Sequence, residues 1–526
     1  MRARVFGPAV NLEARIGSLI IATRNRPDTL LRCVQSYVAN FREFNRAIDI
    51  VVFDDSDDIG YRNQAIAGLS ALSYPADVKV FYYGPEHKAE LARRLAIRAK
   101  CDLDMVQFAL CRDPGGAFAV GSSRNAALLT TYGQMFVTVD DDTVCDLGDV
   151  PDGRSGLRLS STPDPTEWWL VPDRNEACRL APTRELDILG RYEQLLGKTV
   201  ASLIGEEEND LHFDSMSTSF FRGVTESNTS IGLCAMGLKG DCTLFVPTLY
   251  LKFEGASYGR LVRSEEAYRN AFVSRDVIRC VPQVTISNTA TCITNNLGID
   301  NRKLLPPFLP KLYGEDILFN MLVNYCRKDT FSGHIPVALL HDADPTRRFH
   351  TLRATDCAPG MQAAHIIATL IEGFTAHLQS DAPKDNFSAL GRYFQLLGAE
   401  SPEQFYSFFH REWLNQTAWS IALLKKRITR LTRTAPAFYV DDLRKLLETL
   451  KTALLKASPV PLDMIPERNS ARAWQSFQEL LVSYGRLLEL WPRLLHSSIE
   501  INVAPHSCGI EIKNHSYGQG MGKKTA

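Results

Sequence analysis

Between residue 17 and about residue 344, short runs rich in β-branched and aromatic residues alternate with amphipathic stretches, and beyond Thr351 the apolar spacing changes to three and four. The first pattern is that of a mainly parallel sheet with flanking helices, because parallel strands must be joined by long crossovers. The second belongs to helices. The chain is therefore expected to be α/β followed by an all-α region. Strands are expected over 18–22, 48–53, 78–83 and 135–139, with helices over about 86–100 and 122–131. Asp28 is placed to cap a helix running through Leu30, Leu31, Val34 and Tyr37. Further strands are expected over 243–251, 281–293 and 335–340, and a helix over 315–325. The turn-formers and acids of 146–209 suggest an irregular excursion beyond the sheet. Helices are expected over 363–378, 402–431, 440–457 and 471–496, and the Gly- and Lys-rich end suggests a flexible tail. The domain reading is thus 1–350 with an insertion at about 146–280, a helical domain at 351–500, and a tail at 501–526.

The 526 residues carry a net charge of -1, which gives no positive field for non-specific nucleic-acid binding. The 12 cysteines include no C-x-x-C pair, which argues against a zinc ribbon or redox dithiol and for reduced, mostly buried thiols. Arg2 and Arg4 are followed by no apolar run of secretory length before Glu13, and no window resembles a membrane span. A cytoplasmic protein, at most peripheral to a membrane, is expected.

The most informative segment runs from Gly121 through the apolar stretch 135–139 into Asp140, Asp141 and Asp142. Side chains at the carboxyl end of such a strand face the ligand crevice of an open α/β sheet. Mg²⁺ or Mn²⁺ takes a few carboxylate oxygens there and shares its other positions with substrate phosphates. For an isolated acidic triplet, a solvated turn is the simpler reading; its surroundings favour chemistry.

Four segments in order, covering roughly the first 145 residues, resemble the nucleotide-diphospho-sugar glycosyltransferases of the GT-A fold, family 2-like group. They are Ile21-Ala-Thr-Arg-Asn-Arg-Pro27, Val51-Val-Phe-Asp-Asp-Ser56, Arg124-Asn125-Ala126 and the D-x-D-like Asp140 to Asp142. The resemblance implies that Asp54 or Asp55 accepts a hydrogen bond from a nucleotide base, with Thr23 and Arg24 lining that pocket. It also implies that Arg124, Asp140 and Asp141 hold the nucleotide sugar, and that Asp142, Asp140 and His341 ligate Mn²⁺ or Mg²⁺. Glu315-Asp316 opens a helix where inverting members carry a general base, so Asp316 would deprotonate the acceptor hydroxyl and Glu315 shape the acceptor side. The alternative for both acids is that they favour the positive end of their helix. Arg347 and Arg348 would neutralise the departing diphosphate, or lie on the surface.

More than 170 residues separate Asp142 from Glu315, longer than the usual family spacing. Acceptor recognition is assigned to that insertion, with Gly255 to Gly259 suited to a mobile lid; Trp168, Trp169 and Phe220 or Phe221 could stack on sugar rings, although core packing is the more frequent fate of such residues. The implied activity is metal-dependent transfer of a sugar from a nucleoside diphosphate donor, UDP-linked by preference, to an acceptor hydroxyl with inversion. The acceptor class is open. A retaining transferase, a nucleotidyltransferase and a non-catalytic scaffold are the alternatives. The nucleotidyltransferase is disfavoured because 23–27 lacks glycine. The apolar faces of the helical half offer a surface for a homodimer.

Overall fold

The computed structural model describes residues 15–113, 119–206, 210–226, 228–244, 247–288, 294–349, 362–456 and 470–513. The N-terminal dozen residues, the end of the 281–293 strand and the tail from Asn514 lie outside the described residues. The first strands are β1 (Ile16–Thr23), β2 (Ile48–Asp54), β3 (Val78–Tyr83) and β4 (Met135–Asp140). They align in parallel in the order β3-β2-β1-β4. Both faces are covered, which is why these strands are nearly continuous apolar runs. Ile20, Val51, Phe81 and Phe136 face one core, and Leu19, Ile21, Val52 and Val137 the other. The helices Pro27–Glu43, Pro85–Ala99 and Val120–Thr130 flank them. The first begins at Pro27, so Asp28 lies in its first turn and Arg26, not Asp28, occupies the cap position.

Beyond β4 the sheet is mixed, with further parallel pairs interleaved with antiparallel ones, so the expectation of a mainly parallel sheet holds in this coarser form. The later strands are β5 (Thr143–Asp149), β6 (Leu157–Ser160), β7 (Glu167–Leu170), β8 (Leu211–Asp214), β9 (Ser230–Asp241), β10 (Asp276–Cys280), β11 (Val284–Ser287), β12 (Asn296–Asp300), β13 (Thr330–His341) and β14 (Ile510–Ile512). The main path is β14-β3-β2-β1-β4-β12-β9-β13-β11-β6-β8, with β10 joining β9 to β7 and β5 pairing with β13. β9 and β13 run side by side for 12 residues each, with a register break between Ile335 and Ala338 around Pro336. A proline inside a strand removes a ladder donor and is accommodated at such a break. The inner parts of the two strands belong to the main sheet. Their ends carry β10 and β5.

Several expectations are corrected. Residues 146–209 are not an irregular excursion, because β5, β6 and β7 all join the sheet and short helices such as Arg174–Leu180 connect them. These strands are only four to seven residues long, too short for their alternation to stand out among acids and prolines. The strand expected over 243–251 ends at Asp241, and Pro247–Lys252 is a 3₁₀ turn. The proposed lid is the helix Gly255–Leu261, fixed by a hydrogen bond from the Trp168 backbone N–H to Ser257 Oγ at 3.0 Å.

The C-terminal region contains the helices Ala363–Phe374, Pro383–Gly398, Pro402–Leu431, Ala437–Lys456 and Ser470–Glu500. The second of these was missed, although Phe387, Leu390 and Phe394 fall at helical spacing on its buried face. One apolar core runs without a break from Ile20, Phe81 and Phe136 through Phe308 and Phe319 to Ile367, Leu390, Phe477, Tyr484 and Trp491. Another joins Trp168, Tyr250 and Phe253 of the insertion to Ile421, Tyr439 and Leu443. Residues 501–513 are not all tail: Ile510–Ile512 adds the antiparallel edge strand β14 to β3.

Candidate functional site

The strands β1, β2, β4, β9 and β13 all run in one direction, so their last residues Thr23, Asp54, Asp140, Asp241 and His341 fall on one edge of the sheet. The antiparallel β12 starts on that edge at Asn296. This is where open α/β sheets present their ligand crevice.

The acidic triplet divides its work among three sets of partners. Asp141 is fully buried; its Oδ2 accepts a hydrogen bond from Thr23 Oγ1 at 2.7 Å, and its Oδ1 is ion-paired with the Arg26 guanidinium. Arg26 also donates to Asp142 Oδ2 at 2.9 Å, so one guanidinium spans two adjacent carboxylates. Burial raises the Asp141 carboxyl above the usual range, with Arg26 opposing the rise. Burial is the largest single influence on Asp142 and acts in the same sense, but His341 and Arg26 together overcome it and hold that carboxyl low.

His341 is equally informative. Its Nδ1 lies 2.7 Å from the Asp241 carbonyl oxygen, which can only accept, so Nδ1 carries the proton. Nε2 then faces Asp142 Oδ1 at 3.2 Å. In a neutral ring two lone pairs would meet there, so the contact calls for a cation or a proton between them. Burial opposes charging of the ring, yet Asp142 raises it to about 9. Orientation of the ring through its far nitrogen by a backbone carbonyl is a feature that metal-ligating histidines share. Asp142 and His341 are the two side chains here whose donor atoms could both turn to one divalent cation. Among the described residues no three His, Cys, Asp or Glu side chains are already drawn together as a metal site.

Arg124 forms a second centre beside the first. It is buried; Nη2 donates to Asp140 Oδ1 at 2.9 Å, and Nη1 pairs with Glu315. Burial raises Glu315 to about 7 against the pull of Arg124. Asp316, next along the helix Glu315–Cys326, is only partly buried, and its Oδ1 accepts a hydrogen bond from the Ile317 backbone N–H at 2.8 Å. Its carboxyl is likewise raised by burial, with Arg124 opposing. A proton acceptor of this kind, partly open and shifted upward, suits general-base work better than a solvated carboxylate. Gly314, at φ +92°, makes the turn that delivers both acids.

The remaining expected residues are used differently. Asp54 accepts from the Ser56 backbone N–H and from Tyr82 Oη, both at 2.7 Å, and Asp55 is held by Lys88 and by Ser123 Oγ at 2.8 Å. Both carboxylates are buried and engaged by the protein itself. Arg24 binds Asp57 at 2.9 Å together with Arg112 and Asn25, and these donors, Arg112 first, depress Asp57 well below the carboxylate range. Asp57, Arg112 and Lys88 were not singled out from the sequence, nor was Arg26, which lies inside the quoted turn after β1. Arg347 approaches Asp241 at 3.9 Å, whereas Arg348 donates to the carbonyls of Pro345 and Arg347 in its own loop. Trp168, Trp169 and Phe220 are buried, the first beneath Arg279 and the second beneath Arg260, so they are not open to sugar rings. Only Phe221 of that group is exposed.

A comparison with protein-family models finds no match for this chain, and comparisons with curated proteins and with solved structures find none either. No described helix is long and apolar enough to cross a membrane.

Proposed function

We propose that this chain transfers a sugar from a nucleoside diphosphate donor to an acceptor hydroxyl, with inversion, at the edge formed by Thr23, Asp140–Asp142, Glu315–Asp316 and His341. The observation that carries the reading is the meeting, at the carboxyl ends of parallel strands, of acids from two segments more than 170 residues apart around Arg124, with His341 beside them. Mn²⁺ or Mg²⁺, held by Asp142 and His341 with Asp140 nearby, would supply positive charge to the leaving diphosphate. Thr23 fixes Asp141, and Arg124 locks Asp140 to the helix that carries Asp316. As the acceptor oxygen bonds to the anomeric carbon and the bond to the diphosphate breaks, Asp316 takes the hydroxyl proton. The GT-A assignment belongs to this proposal, as does placing acceptor recognition in the insertion.

The test is a thermal-shift and turnover series with nucleoside diphosphate sugars, with and without Mn²⁺. A ligand that binds only the native state raises its melting temperature. The expected result is a metal-dependent rise with one donor, followed by release of the nucleoside diphosphate. Absence of both binding and turnover across the series would favour a non-catalytic scaffold.

A further inference from the structure

Arg26 occupies the place where a cation is needed and is itself the cation. It sits at the cap position directly before Pro27, whose ring restricts the backbone of the preceding residue, so the side chain and not the loop is the movable part. Its side chain is 49% exposed, yet its guanidinium spans Asp141, whose side chain is 0% exposed, and Asp142, at 9%. Two adjacent buried carboxylates need a counter-ion, and in the resting protein Arg26 supplies it. A divalent cation held by Asp142 and His341 competes with Arg26 for the Asp142 carboxylate and sets like charge beside a guanidinium that keeps only Asp141. A diphosphate arriving alone would draw Arg26 away and leave Asp141 with the Thr23 hydroxyl and Asp142 with His341 as their remaining partners. Together the two ligands satisfy every charge, because a planar guanidinium pairs well with phosphate oxygens.

We infer that Arg26 is a resident counter-ion that couples the binding of the divalent metal to that of the diphosphate, leaving the acidic triplet for the phosphates when the metal enters. This rests on the metal and donor site proposed above. Such coupling is reciprocal: each ligand tightens the other by the same factor.

The experiment is titration calorimetry of Mn²⁺ into the protein with and without UDP, and of UDP with and without Mn²⁺, for the wild type and Arg26→Gln. Mn²⁺ electron paramagnetic resonance would serve as a second readout. In the wild type, UDP is expected to tighten Mn²⁺ binding by about tenfold or more. In Arg26→Gln, Mn²⁺ alone should bind about tenfold tighter than in the wild type, and the gain from UDP should shrink. Arg26→Lys, which keeps the charge but not the two-pronged geometry, should fall between them and serves if the glutamine variant does not fold. Equal Mn²⁺ affinities without nucleotide in wild type and variants, or undiminished coupling in the variants, would overturn the role of Arg26 while leaving the donor site standing. If none of these proteins binds Mn²⁺ with or without UDP, the metal-site reading falls and the inference falls with it.

Discussion

Asp142 and Asp316 lie in different charge environments, and their substitutions should separate binding from chemistry. Asp142→Ala removes one of the two partners of both His341 and Arg26 and is expected to abolish metal-dependent donor turnover, with circular dichroism unchanged. Asp316→Asn keeps shape and hydrogen bonding but cannot take a proton. It should retain donor affinity by calorimetry and lose roughly 10²- to 10⁴-fold in transfer rate. Equal activity in both variants would remove the assignment. Away from the site, His334 is buried with Nε2 2.8 Å from Ser287 Oγ. Burial pushes it down to about 4, against the pull of Asp164. The unfolded chain takes up this proton near pH 6.5 and the folded protein only near 4, so stability should fall as pH drops through that window, by roughly 3 kcal/mol from this group. Denaturant titrations of wild type and His334→Gln between pH 7 and 4 should show a flatter slope in the variant. The acidic triplet was legible because three aspartates end an apolar run. The role of Arg26 was not, because its meaning depends on a carboxylate pair 115 residues away that only the parallel pairing of β1 with β4 brings alongside. The partners of Asp54 and Asp55 were hidden for the same reason: Tyr82 and Lys88, which engage them, come from a neighbouring strand and helix that the local motif does not contain.

At the level of elements, two close approaches hold the site in register. A Cβ added at Gly121 would lie 1.9 Å from the Leu309 carbonyl oxygen, so the helix carrying Arg124 touches the 305–310 loop backbone to backbone. Asn125 reinforces the contact, donating to the Phe308 carbonyl at 3.1 Å and accepting from the Phe308 N–H at 2.8 Å. Alanine is the better helix former by about 1 kcal/mol. The clash is with backbone that cannot rotate away, and overpacking of this kind costs about 1–3 kcal/mol. Gly121→Ala should therefore destabilise the protein, as a lower denaturant midpoint, and weaken donor turnover through Arg124. The break at Pro336 has a comparable positioning effect. It separates the half of β13 that lies in the main sheet from the half that brings His341 beside Gly240 and Thr143. From sequence, the apolar run 335–340 was recognisable as a strand. Its continuation back to Thr330 was hidden by Ser332, Gly333 and His334, polar or small residues buried by partners on both sides.

Taken whole, the C-terminal helices help to shape the candidate site. Trp491 Nε1 donates to the Leu305 carbonyl at 2.9 Å and Tyr484 Oη to the Pro307 carbonyl at 3.0 Å, gripping the loop on which Gly121 and Asn125 rest. Trp491→Ala should cost about 3–5 kcal/mol. Because the core is shared, unfolding monitored in the far and near ultraviolet should then remain coincident; a separate early transition of the helices would contradict the shared core. The change of period near residue 351 was readable, but period reports local conformation and not which faces meet. The shared core therefore emerged only with the packing.

The short strand β14 has a further consequence. By pairing Ile510 and Ile512 with Tyr82 and Val80, it covers the outer flank of a buried, strongly apolar parallel strand. Such a flank, if bare, offers its free amides and carbonyls to any other extended chain. A protein ending before Ile510 should keep most of its melting temperature yet self-associate with time and concentration, visible as rising light scattering and thioflavin fluorescence. In this sense three residues near the end of the chain act as a solubility guard for the sheet that carries the site.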